Sequence, residues 1–188
     1  MRRWTSTTAL VAIGAATLTG CSPAELPLVA IHLDTSGNPS ALISPCGDDR
    51  TAWLELTSWS DAWASAWDAE QAATDPAASA SASAAAAAAE AADEDIRWQA
   101  TPTEPVGATE FPVFAPPASW HAQATGPQEL RPDRTYSLSF RVPGQGANYT
   151  AHVDFTAADL ATLHRREVWA DGRAMTEEGF ARLVRKKC

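Results

Sequence analysis

The chain has 188 residues, a formal net charge of −9 and eight tryptophans. A chain with this acidic balance lacks the net positive charge that is typical of nucleic-acid-binding proteins, so we predict no nucleic-acid partner. An acidic, alanine-rich body with eight tryptophans fits a secreted globular domain.

The first 20 residues have the pattern of an export signal. Arg2 and Arg3 give the segment a positive start. The apolar run at residues 9–18 is too short to cross a bilayer, which takes about 20 residues, but it suits the core of a signal peptide. We therefore predict a signal peptide at residues 1–20, with the general secretory and twin-arginine export routes both open.

Residues 18–21 read LTGC and resemble the lipobox of bacterial lipoproteins. The resemblance implies that a peptidase cuts before Cys21, which carries a diacylglyceryl group and becomes the N-terminus. Two acyl chains hold a protein stably at a membrane. We therefore predict a lipoprotein on the extracytoplasmic face of the cell membrane, with residues 21–27 as its tether. Ordinary secretory cleavage and an uncleaved helix with a buried cysteine are the alternatives.

Processing makes the protein more acidic. Loss of Arg2 and Arg3 lowers the formal net charge to −11. Anionic headgroups repel such a body, so we expect the lipid, and not a basic patch, to hold it at the membrane.

Cys46 and Cys188 remain once Cys21 carries lipid. An exported protein meets oxidising conditions, in which an even number of cysteines favours a disulfide. We predict a bridge between these two residues. Two buried free thiols, or an intermolecular bridge through Cys188, are the alternatives.

Residues 28–155 are predicted to form a β-sandwich domain. Alternating apolar side chains and turn-forming residues mark its strands, and the first three look like a meander. The predicted strands cover residues 29–33, 41–43, 53–57, 96–99 and, in a proline-rich stretch, the edge strand 111–114.

Three tryptophans follow at a spacing of four residues: Trp59, Trp63 and Trp67. A helix and a strand both place such residues on one face, so the spacing does not distinguish them. One interpretation is an aromatic stripe in or beside the core. The other is a binding surface, since flat aromatic faces stack on sugars.

Residues 71–94 are an alanine-rich stretch of low complexity. They contain no apolar side chain larger than alanine, so they have little to bury. We predict a surface insertion between a strand that ends near Trp67 and the strand at 96–99. Its deletion is expected to shift the melting temperature by only a few degrees.

The clearest fold signal lies at residues 130–142 (LRPDRTYSLSFRV). Leu130, Pro132 and Tyr136 have a spacing that resembles the tyrosine corner of immunoglobulin-like and fibronectin type III sandwiches. The resemblance implies that the tyrosine hydroxyl bonds the backbone upstream. The predicted fold class is mainly β: an immunoglobulin-like β-sandwich, with residues 149–155 as the strand that follows.

Residues 156–188 are predicted to form a small helical C-terminal extension. A capping box at Thr156 and Asp159 opens a short helix, and Asp171-Gly172 marks a tight turn. Thr176 caps a final helix whose apolar face we expect to include Cys188.

Catalytic and metal-binding motifs are not evident. The four histidines (His32, His121, His152 and His164) lack metal-ligand spacing, and we predict no metal or cofactor. His152 and Asp154 share one face of a strand, the only hint of an envelope hydrolase.

The whole pattern resembles uncharacterised lipoproteins of actinobacteria, which implies a location and no activity. We expect a non-enzymatic lipoprotein whose sandwich contacts an envelope protein or glycan. A carbohydrate binder that uses Trp59, Trp63 and Trp67, and a hydrolase, are the alternatives.

Overall fold

Two β-sheets enclose a shared core in the computed structural model, which describes residues 23–93, 95–142 and 149–188. The first sheet contains β1 (Ala24–Leu26), β4 (Leu54–Ser60), β5 (Arg97–Ala100), β7 (Gln123–Thr125), β8 (Arg134–Val142) and β9 (Tyr149–Thr156). The second contains β2 (Val29–Leu33), β3 (Pro39–Ile43), β6 (Thr109–Pro112), β10 (Glu167–Ala170) and β11 (Arg173–Thr176). The helices are α1 (Asp61–Ala72), α2 (Pro76–Ala92), α3 (Ala157–Ala161) and α4 (Glu177–Lys187), with one 3-10 turn at Ala118–Trp120.

The strand order is β1-β9-β8-β4-β5-β7 in the first sheet and β11-β10-β2-β3-β6 in the second. All the pairings are antiparallel except that of β1 with β9. The chain is therefore mainly β, as predicted, with its helices at the margins of a sandwich. The predicted signal peptide and the lipidation residue Cys21 lie outside the described residues.

The sandwich core is built by strands with two-residue periodicity, because successive side chains of a strand point to opposite faces. On β8, Tyr136, Leu138 and Phe140 are fully buried, while Ser137 and Ser139 between them are half-buried on the outer face. The neighbouring strand β9 alternates in the same way.

Tyr136 makes the backbone contacts that its spacing predicted. Its hydroxyl accepts the backbone N–H of Arg131 at 2.8 Å and donates to the carbonyl of Glu129 at 3.0 Å. Burial raises the pKa of the Tyr136 hydroxyl above its ordinary value, so the neutral, bonding form persists at physiological pH. The tyrosine pins the approach loop to the start of β8.

The first three strands do not form a meander. β2 and β3 pair as a hairpin in the second sheet, but β4 crosses to the first sheet and pairs with β8 and β5. Alternating apolar and polar side chains predict a strand and its buried face, but they do not indicate which of the two sheets the strand joins. The crossing is therefore decided by long-range packing.

Residues 61–92 form a helical hairpin, α1 and α2, inserted between β4 and β5. The predicted strand ending near Trp67 is wrong, because β4 ends at Ser60, which caps α1 by accepting the N–H of Trp63. The alanine-rich stretch is helical, since alanine has the highest helix propensity and Asp75 and Pro76 supply a favourable start. Packing against α1 stabilises it.

The C-terminal extension is not only helical. The predicted capping box is present at Thr156, and α3 follows it. The chain then adds β10 and β11 to the second sheet, where Trp169 pairs with Ile31. α4 packs its apolar face, centred on the buried Phe180, against the outer side of this sheet.

The predicted disulfide between Cys46 and Cys188 is present, with the two Cα atoms 5.3 Å apart. Cys188 caps the end of α4 and is exposed, so the expectation that it shares the buried helix face is wrong. Its link to Cys46 joins the end of α4 to the loop between β3 and β4.

Candidate functional site

Trp59, Trp63 and Trp67 form a continuous column of aromatic rings, which we call the tryptophan column. Trp59 lies near the end of β4, and the other two lie one turn apart on α1. The rings of Trp63 and Trp67 are 5.6 Å apart and nearly parallel, and those of Trp59 and Trp63 are 6.5 Å apart and tilted. Offset-stacked and tilted aromatic pairs at such distances stabilise one another.

The tryptophan column is not part of the core. Trp67 is 46% exposed, and Trp59 and Trp63 are half-buried. If all three had been buried, a binding role would have been excluded. The column is not a flat platform either, because the rings of Trp63 and Trp67 face each other. What it offers a ligand is an aromatic ridge along α1 that ends in an exposed ring.

A groove of about 460 Å³ runs beside the base of the column. Polar groups line its walls next to Trp59 and Trp63: Ser58, Glu90, Asp93, Asp95 and Arg97. Small-ligand sites have this composition, with apolar and aromatic surface interrupted by a few placed polar groups. We refer to this feature as the column groove.

The carboxylates of the column groove have different partners. Asp93 pairs with Arg134 at 2.6 Å, and Asp95 pairs with Arg97 at 2.9 Å. Among the described side chains, Glu90 has no ion-pair partner. It is exposed, so its oxygens are available to accept hydrogen bonds from a ligand.

Asp93 fixes the hairpin to the sheet. Its Oδ1 accepts from Nη1 of Arg134, and its Oδ2 accepts the backbone N–H of Ser60. Arg134 also donates from Nε to Ser58 Oγ, and its side chain is 2% exposed. The end of α2, the start of α1 and the start of β8 are thus joined at one buried ion pair, which places the column.

Sequence reasoning missed this pair. Asp93 lies at the end of a stretch that has no large apolar side chain, and Arg134 is an arginine, a residue type that is mostly exposed in proteins. One feature of the sequence could have indicated the pair. Arg134 precedes Tyr136 by two residues, which places Arg134 on the same inward face of β8. An inward arginine requires a partner.

No family model, curated protein or solved structure matches this chain. The candidate site is therefore defined by its own geometry.

His152 and Asp154 line a separate cleft of about 360 Å³ with Glu25, Asp171 and Lys187. Both face outward from β9, as predicted, and Ser139 on β8 lies opposite His152. Among the described side chains, however, no hydrogen bond joins His152 to either neighbour. The described residues therefore place these two side chains in one cleft without joining His152 to a nucleophile by a hydrogen bond.

Metal binding has no support in the described part of the chain, where no three histidine, cysteine or acidic side chains come together as ligands. His32 instead pairs with Glu110 at 3.0 Å, and His121 lies beside Thr103. The described helices also include none that is long and apolar enough to span a bilayer.

The expectation that residues 21–27 form a tether is wrong for Ala24–Leu26, which are strand β1 of the first sheet. The tryptophan column and the start of β1, where the tether joins the sandwich, lie at opposite ends of this sheet. Ala24, three residues after Cys21, pairs with Tyr149 at the start of β9. Trp59 pairs with Thr135, which in turn pairs with Thr156 at the end of β9. The length of β9 therefore separates the two features.

Proposed function

We propose that this chain is a lipid-anchored, non-enzymatic lipoprotein on the extracytoplasmic face of the cell membrane that binds a glycan of the cell envelope. The anchor is Cys21, and the binding surface is the tryptophan column with the column groove. The observation that carries the proposal is an exposed aromatic ridge at the end of the sandwich opposite the tether.

The ridge has the chemistry that recognises sugars. Aromatic faces and edges contact the apolar C–H faces of a pyranose ring, and nearby carboxylates accept hydrogen bonds from its hydroxyls. Trp67 supplies the exposed face, and Glu90 supplies a carboxylate without an ion pair in the described residues. A glycan chain is long enough to contact both.

We also propose that the sandwich is immunoglobulin-like, close to the fibronectin type III type. Strands β2, β3 and β6 are neighbours in one sheet, and β5, β4, β8 and β9 are neighbours in the other. With β2 taken as strand A, this corresponds to an A-B-E sheet facing a sheet that contains C, F and G. The tyrosine corner then falls at the start of strand F, as in those domains.

The binding proposal is tested with purified, protein-free cell-wall glycan in a sedimentation assay. We expect the mature protein to sediment with the glycan, and Trp63→Ala to weaken binding about tenfold, since buried aromatic anchors dominate interfaces. Trp67→Ala is expected to act in the same direction, and its exposure makes it the safer variant for folding.

Trp53→Ala is the matched control. Trp53 is also half-buried, but it precedes the other end of β4 and contacts Arg141. Its loss is expected to leave glycan binding unchanged. Equal binding by the Trp63 and Trp67 variants and the wild-type protein would remove the column from the proposal.

The anchor is tested by mass spectrometry of the protein isolated from membranes of the exporting bacterium. We expect an N-terminus at Cys21 that carries diacylglyceryl, and we expect Cys21→Ser to leave the signal uncut or the protein unanchored. A wild-type product that starts at Ala24 without lipid would contradict the anchor.

A further inference from the structure

The tether and the C-terminal end of α4 lie at the same end of the sandwich. Ala24 pairs with Tyr149, whose hydroxyl accepts the backbone N–H of Cys46 at 2.8 Å. Cys46 is bonded to Cys188, the residue that follows α4. In addition, Glu25 of β1 and Lys187 of α4 line the same cleft. The end of α4 is therefore close to the point where the tether leaves the sandwich.

This end of α4 is strongly basic. Its exposed cations are Arg182, Arg185, Lys186 and Lys187, and no acidic residue follows Glu178. Among the described residues, none of the four forms a salt bridge. Acidic side chains lie around this end as well: Glu25, Asp154 and Asp171 line the cleft of Lys187, Asp49 accepts from the Tyr149 hydroxyl, and Glu178 attracts Arg182. The four cations nevertheless lie together on the last turns of α4, with no acidic residue among them. We call these four residues the α4 basic end.

The opposite end of the sandwich is acidic. The chain has no lysine or arginine between Arg50 and Arg97, so every charged residue of the α1–α2 hairpin is negative. The net charge of the processed protein thus does not describe its surface. The hairpin that carries two of the column's tryptophans has only negative charges, whereas the end beside the tether has the four cations of α4 together with several carboxylates.

We propose that the α4 basic end binds the anionic lipid headgroups of the membrane that holds Cys21. The inference rests on the proposed anchor and adds a second attachment. Lysine and arginine next to a membrane surface are attracted to anionic lipids within about one Debye length, roughly 10 Å at 0.1 M salt. One acylated cysteine and one basic cluster then fix the orientation of the domain, with the column directed away from the bilayer.

The test uses lysine reactivity. Lys186 and Lys187 are the only lysines in the chain, so an amine-reactive ester reports on the α4 basic end alone, apart from the N-terminal amine. Protein isolated from membranes is reconstituted into phosphatidylcholine vesicles with or without 30% phosphatidylglycerol, and peptide mass spectrometry follows the labelling. We expect labelling about fivefold slower on the anionic vesicles at low salt, and equal rates in 1 M NaCl.

Two double variants test whether the slower labelling depends on the α4 basic end or on the total charge of the protein. Arg182→Gln/Arg185→Gln is expected to reduce the difference between the two vesicles. Arg165→Gln/Arg166→Gln removes the same charge near the other end of α4, where the backbone of Glu177 bonds that of Arg166, and is expected to preserve the difference.

The outcomes distinguish the inference from the anchor. Two results are combined: whether the protein sediments with each kind of vesicle, and how fast its lysines are labelled there. Sedimentation with both kinds of vesicle, with slower labelling on the anionic ones, supports the proposal. Sedimentation with both and equal labelling overturns it and leaves the anchor intact. Sedimentation with the anionic vesicles only supports the basic surface and contradicts the anchor, and sedimentation with neither contradicts both.

Discussion

Reduction of the Cys46–Cys188 disulfide is expected to release α4 while the sandwich stays folded. The bridge closes a loop of 142 residues, and the chain-entropy model assigns about 5 kcal/mol to such a loop. Phe180 is the only buried residue of α4, while Leu183 and Val184 are half-buried. This apolar contact is small compared with the entropy of ordering a terminal helix, so its docking depends on the bridge.

Amide hydrogen exchange under oxidising and reducing conditions measures this effect. Protection of α4 is expected to fall on reduction, and that of β8, with its buried Tyr136 and Phe140, to persist. Cys188→Ser is expected to reproduce the reduced state. Equal protection of α4 in both states would show that the bridge does not hold the helix.

Asp93→Ala is expected to destabilise the protein by about 3–5 kcal/mol, because it leaves the guanidinium of Arg134 buried without a counter-charge. The melting temperature should fall on the order of 10 °C. The structure therefore changes the expected effect of deleting residues 71–94, which we had predicted to shift the melting temperature by only a few degrees. Such a deletion removes Asp93 together with α2, so we now expect a comparable loss.

A salt bridge two residues away supplies the control. Asp95 and Arg97 are also paired, but both side chains are about half exposed, and Asp95→Asn should cost less than about 1 kcal/mol. A double-mutant cycle with Arg134→Met provides the second measurement. We expect Asp93→Ala/Arg134→Met to be less destabilised than the sum of its two single variants. Additive losses would show that the two residues act independently.

Local sequence patterns correctly predicted the elements whose form depends on neighbouring residues. The alternation in β8 and β9, the spacing that ends at Tyr136 and the cap at Thr176 each identified an element, because a few neighbouring side chains determine its form. The pairing of Cys46 with Cys188 was predicted from the number of cysteines and the expected export of the chain.

The remaining features depend on contacts between distant residues. The move of β4 to the first sheet and the parallel pairing of β1 are settled by packing across the sandwich. The alanine-rich stretch was treated as an isolated segment, for which helix is marginal, but α1 is its partner. For the same reason the tryptophan spacing left strand and helix unresolved, and the structure divides the three residues between the two.

The arrangement of β1 has a mechanical consequence for a protein held at one end and loaded at the other. A pull on the tryptophan column passes through β4 and β8 into β9, and from there across three paired residues into β1 and the tether. Because β1 runs parallel to β9 and along the direction of this pull, the force shears these pairs together and does not peel them one at a time. Under the proposed anchor, the edge pairing of β1 with β9 is thus loaded in its more resistant direction.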